Sequence, residues 1–322
     1  MLVKDTIAFL KNWTLPTAIC LGSIIYFLFS TLDCLTPVGI VMEPFFNEIL
    51  PWLMFMVLYV TFCKIDFRQM RITRWHLWIL GIQLLLVLFI TLYIKYLATE
   101  QNEKILWESI LACVVCPTAA ASTVVTVKLG GSLSSMTTFA VVSNMITALI
   151  IPVVFPLIET SRDISFVSAF LIILERVIFV LVAPLLFAWI TKHYLPNLQG
   201  RIVRVKDLGF YLWGVALTIV TGTTVKNIVH ADAEMYLLLL ISFSSLLLCL
   251  MLFLTGKITG YFFGVIIEGG QALGQKNTAF AIWITYMYLN PIASIGPGCY
   301  VLWQNIVNSW QLWNKRKKES AG

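Results

Sequence analysis

The strongest constraint on this chain is a succession of apolar runs. Each is close to the roughly 20 residues that a helix needs to cross the hydrocarbon core of a bilayer. Hydropathy and punctuation place ten of them. Five run over 14–32, 46–64, 75–96, 106–129 and 133–158, and five over 166–192, 207–228, 235–256, 259–283 and 286–311. The chain is 59% hydrophobic and 12% charged, against about 25% charged residues in soluble domains. No long polar stretch separates the runs, so a single membrane domain without a soluble appendage is expected. The run Leu15–Leu32 has no small-residue cleavage site behind it and reads as a span rather than a removed signal peptide.

The basic residues are divided unequally between the two sides of such a chain. One side collects Lys4, Lys11, Lys64, Arg68, Arg71, Arg74, Lys128, Lys192, Arg201, Arg204, Lys206, Lys257 and the run Lys315-Arg316-Lys317-Lys318. The other holds Lys95, Lys104, Arg162 and Lys226. The positive-inside rule then predicts an even number of spans and both termini in the cytoplasm, with the inner membrane as the location. These charges are scattered over short loops beside spans, so a nucleic-acid surface is not expected; the lipid bilayer is the expected partner.

Two runs are interrupted. Span four contains Cys116-Pro117-Thr118-Ala119-Ala120-Ala121-Ser122-Thr123. Proline removes a backbone donor and clashes with the preceding turn. Span nine contains Glu268-Gly269-Gly270-Gln271-Ala272-Leu273-Gly274-Gln275-Lys276-Asn277-Thr278, with three glycines, two glutamines, a lysine and an asparagine. Irregular backbone survives at membrane depth only where protein or a water-filled cavity surrounds it. For span four, a simple proline kink is an equal alternative. For span nine, the polar density is too high for a kink alone. Both lie fourth in their halves, 14–158 and 166–311, and an odd count per half makes the two halves inverted repeats. Interrupted spans at matching positions point to a transporter binding site.

Other features carry less. The seven cysteines lie mostly in apolar runs, and Cys113-x-x-Cys116 lacks the second pair that a metal or redox motif needs. Trp13, Trp52, Trp75, Trp78, Trp107, Trp310 and Trp313 fall near span ends and read as an interfacial aromatic belt. His76, His193 and His230 show no metal spacing and read as solvated or interfacial. Glu175 and Arg176 point about 100° apart on a helix and do not readily bridge each other. No nucleophile elbow, phosphate loop or His-Glu-x-x-His motif is present, so an enzyme is not expected.

Several fragments, in order, resemble the bile acid:sodium symporter superfamily. They are Leu53-Met54-Phe55-Met56 with Asp66-Phe67, Gln83 in span three, Cys116-Pro117 through Ser122 with Pro152, Val182-Ala183-Pro184-Leu185-Leu186, Gly274-Gln275-Lys276-Asn277-Thr278-Ala279, and Trp303-Gln304-Asn305. The resemblance implies an all-α membrane protein of ten transmembrane helices, with helices four and nine broken and crossing. Spans 3–5 and 8–10 would form a core and spans 1, 2, 6 and 7 a panel. It also implies alternating access, an organic anion as substrate, often two sodium ions, and substrate contacts beside the breaks at Thr118, Ala120, Asn277 and Thr278.

One sodium site of the family uses a Ser-Asn pair, two hydroxyls of span five and a glutamate of span nine. Aligned without gaps, those positions read Ser122-Thr123, Met136, Ala140 and Gln271, and Lys276 replaces an asparagine; a one-residue gap would instead match Asn277 to that asparagine. The other site uses two glutamines, matched by Gln83 and Gln275. A standard two-sodium symporter is therefore not expected. Lys276 has three readings. Its ammonium could replace the coupling cation and carry a proton, pair with an anionic substrate, or act structurally by snorkelling or pairing with Glu268. Glu268 is itself a candidate coupling carboxylate. The expected function is a secondary transporter for a bile-acid-like anion or small carboxylate, with sodium at Gln83 and Gln275 or protons as coupling ion and no other cofactor. A non-transporting membrane sensor or scaffold of the same fold is the alternative from another class.

Overall fold

The computed structural model describes residues 14–32, 34–66, 68, 70–159, 165–205, 208–230 and 233–321. Lys4, Lys11, Trp13, Phe67, Arg162 and Lys206 lie outside the described residues. Among the described residues the fold is all-helical, with no strand. In chain order the helices are α1 (Thr14–Thr31), α2 (Thr36–Cys63), α3 (Arg74–Tyr96), α4 (Gln101–Val115), α5 (Ala121–Leu129), α6 (Leu133–Ile158) and α7 (Phe166–Val177). A π-turn, Ile178–Val182, joins α7 to α8 (Ala183–Tyr194). Then come α9 (Pro196–Arg204), α10 (Leu208–Val229), α11 (Met235–Phe262), α12 (Ile266–Gly274), α13 (Thr278–Tyr288) and, after a 3-10 turn at Pro291–Ser294, α14 (Ile295–Ala321).

Five continuous helical stretches are long and apolar enough to cross a membrane, at Arg74–Tyr96, Leu133–Ile158, Phe166–Tyr194, Tyr211–Val229 and Met235–Phe262. A sixth is added if Pro37–Phe46 and Glu48–Cys63, bent by 42°, form one span. The fourth and ninth apolar runs are each two short helices, so neither half passes that test alone.

Several boundaries differ from those expected. The second apolar run is expected at 46–64, but α2 already starts at Thr36, with proline in its first turn where the missing donor costs nothing. The eighth run is expected to end at 256, but α11 continues to Phe262 through Ile258 and Tyr261. The chain reverses only at Gly264, whose φ of +69° is open to glycine at little cost. Span nine therefore begins at Ile266 rather than 259, and α13 carries it to Tyr288. Asn290-Pro291 stops it there, with the Asn290 side chain accepting from the Ile292 amide at 2.9 Å. Span ten consequently starts at Ile295, not at 286.

The chain forms two compact units. One comprises residues up to Lys64 together with Ala183–Ala231, and the other Ile65–Val182 together with Asp232–Gly322. The division falls within span six, directly after the π-turn. In the smaller unit α10 packs on α1 and α2, and α2 on α8, where Tyr59 and Thr191 share a hydrogen bond of 2.8 Å.

In the larger unit α11 packs on α12, α14 and α4, and α6 packs on α7. The α11–α12 contact is backbone on backbone. A Cβ added at Gly256 would collide with the Gly269 carbonyl, and one at Gly269 with the Gly256 carbonyl. Small residues spaced as in Gly256-x-x-x-Gly260 permit this approach in membrane helices.

Trp75 and His76 are both buried, contrary to their expected interfacial place. Trp75 stacks on Phe139, ring centroids 5.4 Å apart, and its indole donates to Ser135 Oγ at 3.3 Å. His76 Nδ1 accepts from the Thr73 amide at 3.1 Å, closing the N-terminus of α3. Trp52, Trp78, Trp310 and Trp313 are exposed, as are His193 and His230.

Candidate functional site at the two helix breaks

The first break follows from Pro117. A residue before proline is driven out of the helical region, and Cys116 is extended with φ −65° and ψ 148°. The last carbonyls of α4 are left without helical donors. The second break follows from Gly274 and the extended Gln275, with φ −97° and ψ 97°. Asn277 then caps α13, its side chain accepting from the Phe280 amide at 3.3 Å.

The two breaks satisfy each other. Thr118 and Lys276 form an antiparallel bridge. The Ala119 amide donates to the Gln275 carbonyl at 2.9 Å, and the Asn277 amide to the Pro117 carbonyl at 2.8 Å. Two side chains from neighbouring helices take the bridge amides. Ser143 Oγ of α6 accepts from Thr118 N at 3.1 Å, and Gln304 Oε1 of α14 accepts from Lys276 N at 2.9 Å. Gln304 Nε2 also donates to the Lys276 carbonyl at 3.2 Å.

The paired residues also exchange side chains. Thr118 Oγ1 donates to the Ala272 carbonyl near the end of α12 at 2.6 Å. Lys276 Nζ donates to the Val114 and Cys116 carbonyls at the end of α4, at 3.1 and 3.3 Å. Lys276 is fully buried. Gln83 Nε2 of α3 reaches the same carbonyls, at 3.0 Å from Val114 O and 3.2 Å from Cys116 O. At the other helix end, Tyr300 Oη donates to the Gly274 carbonyl at 2.8 Å.

Lys276 thus neither snorkels nor pairs with Glu268. It is fully enclosed, and Glu268 lies at the far end of α12, where its Oε1 accepts from the Ser132 amide at 2.6 Å.

Thr118, Asn277, Gln83 and Lys276 meet at the crossing. Thr278, the first residue of α13, is buried, and Ala120 sits at the N-cap of α5. Gln275 contributes its carbonyl, while its Oε1 and that of Gln83 are buried with no hydrogen-bond partner among the described residues. Ser122 Oγ is likewise buried without a partner, and Thr123 Oγ1 turns back to the Ala120 carbonyl at 2.8 Å. Gln271 is tied to Asn308, Nε2 to Oδ1 at 2.9 Å. Met136 and Ala140 of α6 are buried and bring no side-chain oxygen.

Ser143, Tyr300 and Asn308 were missed in the sequence, and so was the role of Gln304. A signal existed only for α14, where Gln304, Asn308 and Gln311 recur at helical spacing along one face. Glu108 of α4 was also missed. It is fully buried, with Oε2 accepting from the Asn290 amide at 3.2 Å and Oε1 lying 3.7 Å from Lys104 Nζ.

An all-helical chain with several membrane-length apolar helices, and with polar helix breaks paired inside it, defines a multi-pass membrane protein of the transporter class. The family model described as Sodium Bile acid symporter family matches residues 51–231, more than half of the chain, and the protein belongs to that family. No curated protein sequence matches it. Members of the family are transporters, not enzymes, and the family suggests sodium coupling.

Proposed function

We infer that this protein is a secondary transporter for an organic anion, bile-acid-like or a small carboxylate. We further infer that the Lys276 ammonium stands in for a coupling cation. The reading takes the fold as ten spans in two inverted five-helix repeats, moved by alternating access in the inner membrane, with both termini cytoplasmic. The observation that carries it is the buried Lys276 Nζ on the Val114 and Cys116 carbonyls. Free carbonyls at the end of a broken helix carry partial negative charge and are the usual ligands of a transported sodium ion. An ammonium supplies the same unit charge there, but is tethered and cannot leave. It must then either exchange a proton during the cycle or remain as the counter-charge of the anion.

The family site that would use Ser122, Thr123 and Gln271 fits sodium poorly. It lacks a carboxylate, and Met136 and Ala140 replace hydroxyls. The decisive measurement is uptake of bile-acid-like and small carboxylates into proteoliposomes, against sodium and pH, with Lys276→Ala beside the parent. Expected is uptake that ignores sodium, varies with pH and falls to background in the variant. Uptake that requires sodium and ignores both pH and the substitution would overturn it.

A second reading keeps sodium as co-substrate, at Gln83 and Gln275. It is favoured by their two buried carbonyl oxygens without partners, since buried polar atoms normally have one. Sodium-dependent uptake abolished by Gln83→Leu would select it. A sensor or scaffold is disfavoured by the cost of polar, broken helices at membrane depth. The absence of any thermal shift with organic anions, with or without sodium, would restore it.

A further inference from the structure

At the lysine-rich end of the larger unit, away from the crossing, lies a groove of about 330 Å³. Its apolar lining comes from Leu129 at the end of α5, Ile266 and Ile267 in the first turn of α12, and Trp310 of α14. Its cations are Lys257 of α11 with Lys315 and Lys318 of α14. Gln311 also lines the groove, its Nε2 buried with no partner among the described residues.

Three separate features make this groove a receptor for a phosphate on an apolar body. First, Lys257 is half-buried, its methylene stem lying over Gly270 of α12. No hydrogen bond or ion pair within the described residues engages its ammonium. A half-buried cation without a counter-charge is costly, and an anion arriving in the groove removes that cost.

Second, α12 begins here without a side-chain cap, since its N-cap is Val265. Amides of a first helical turn favour negative charge. The acid of that turn, Glu268, is engaged with the Ser132 amide.

Third, Trp310 is exposed beside the lysines, the amphipathic combination found where a helix meets lipid headgroups. Lys315 is only partly available. Its Nζ donates to the Lys128 carbonyl at 2.9 Å and lies 3.4 Å from Glu319 Oε1. The net charge of the groove nevertheless stays positive through Lys257 and Lys318.

We propose that this groove binds the headgroup of an anionic phospholipid, with the phosphate at Lys257 and Lys318 and the acyl chains leaving past Ile266, Ile267 and Trp310. Basic pockets between membrane helices take such headgroups. The site lies apart from Lys276 and does not depend on what the protein transports.

The test is lipid retention by native mass spectrometry, with thermal stability in detergent, using phosphatidylglycerol, phosphatidylcholine and inorganic phosphate as probes. Expected is one phosphatidylglycerol retained at least tenfold better than phosphatidylcholine, with a rise in Tm that phosphate alone does not reproduce. Lys257→Gln should reduce retention at least fivefold, and Lys318→Gln, at an exposed position where folding is not at risk, at least twofold. Lys95→Gln on the lysine-poor side should change nothing. Equal retention of the two lipids, an equal Tm rise with inorganic phosphate, or indifference to both groove substitutions would overturn the proposal.

Discussion

The two half-helices that end at the crossing, α4 and α12, meet the same difficulty and resolve it differently. Each leaves carbonyls without helical donors inside the protein. The end of α12 is closed by neutral hydroxyls, Thr118 Oγ1 on Ala272 O and Tyr300 Oη on Gly274 O. The end of α4 is closed by the Gln83 amide and a full positive charge, the Lys276 ammonium. Hydroxyls suffice to satisfy carbonyls, so closure alone does not explain the lysine. The difference separates what holds the crossing together, which is mostly backbone and neutral, from what gives it charge.

Four substitutions test the contrast between the two helix ends, the most damaging first. Thr118→Lys would give both helix ends a cation. A second enclosed ammonium without a carboxylate costs several kcal/mol, so folded protein should not be recovered on size exclusion in detergent. A well-behaved variant would mean that the crossing is already hydrated and that the contrast is unreal. Gln304→Ala strips the Lys276 amide of its acceptor and leaves the Lys276 carbonyl with the Thr278 amide as its donor. Unsatisfied buried groups cost about 1–3 kcal/mol each, and Tm should fall by several degrees. Ser143→Ala likewise orphans one amide, that of Thr118, but disturbs no carbonyl, and should cost somewhat less, about 1–2 kcal/mol. Tyr300→Phe opens a neutral cap only. It should cost about 1 kcal/mol and leave uptake unchanged, whereas loss of uptake would show that the neutral end also takes part in transport.

Much of this was legible in the sequence for definite physical reasons. Pro117 and the polar, glycine-bearing run around Gln275 and Lys276 marked both breaks, although a kink alone was an equal alternative at Pro117, as the prolines inside α2 and α6 illustrate. The all-helical class followed from the apolar runs, and the family from the order of short fragments. What escaped was where single polar residues point. Ser143 and Tyr300 belong to no motif, and only the folded chain aims them at a break. Trp75 and His76 at a span end look interfacial because hydropathy does not distinguish lipid from protein interior. The end of α11 was set too early because Ile258–Phe263 is still mostly apolar, and the reversal rests on the backbone conformation of one residue, Gly264.

The bridge between Thr118 and Lys276 also bears on whether the protein can be divided. A cut between residues 159 and 165 would leave the first break on one fragment and the second on the other. Ala119 N and Pro117 O would be stranded on one piece, and Asn277 N and Gln275 O on the other, each with its partner removed. In a membrane, where water does not substitute for the lost partner, neither fragment should persist when made alone. Made together in one cell, they should restore each other, so that each half of the chain acts as the folding partner of the other.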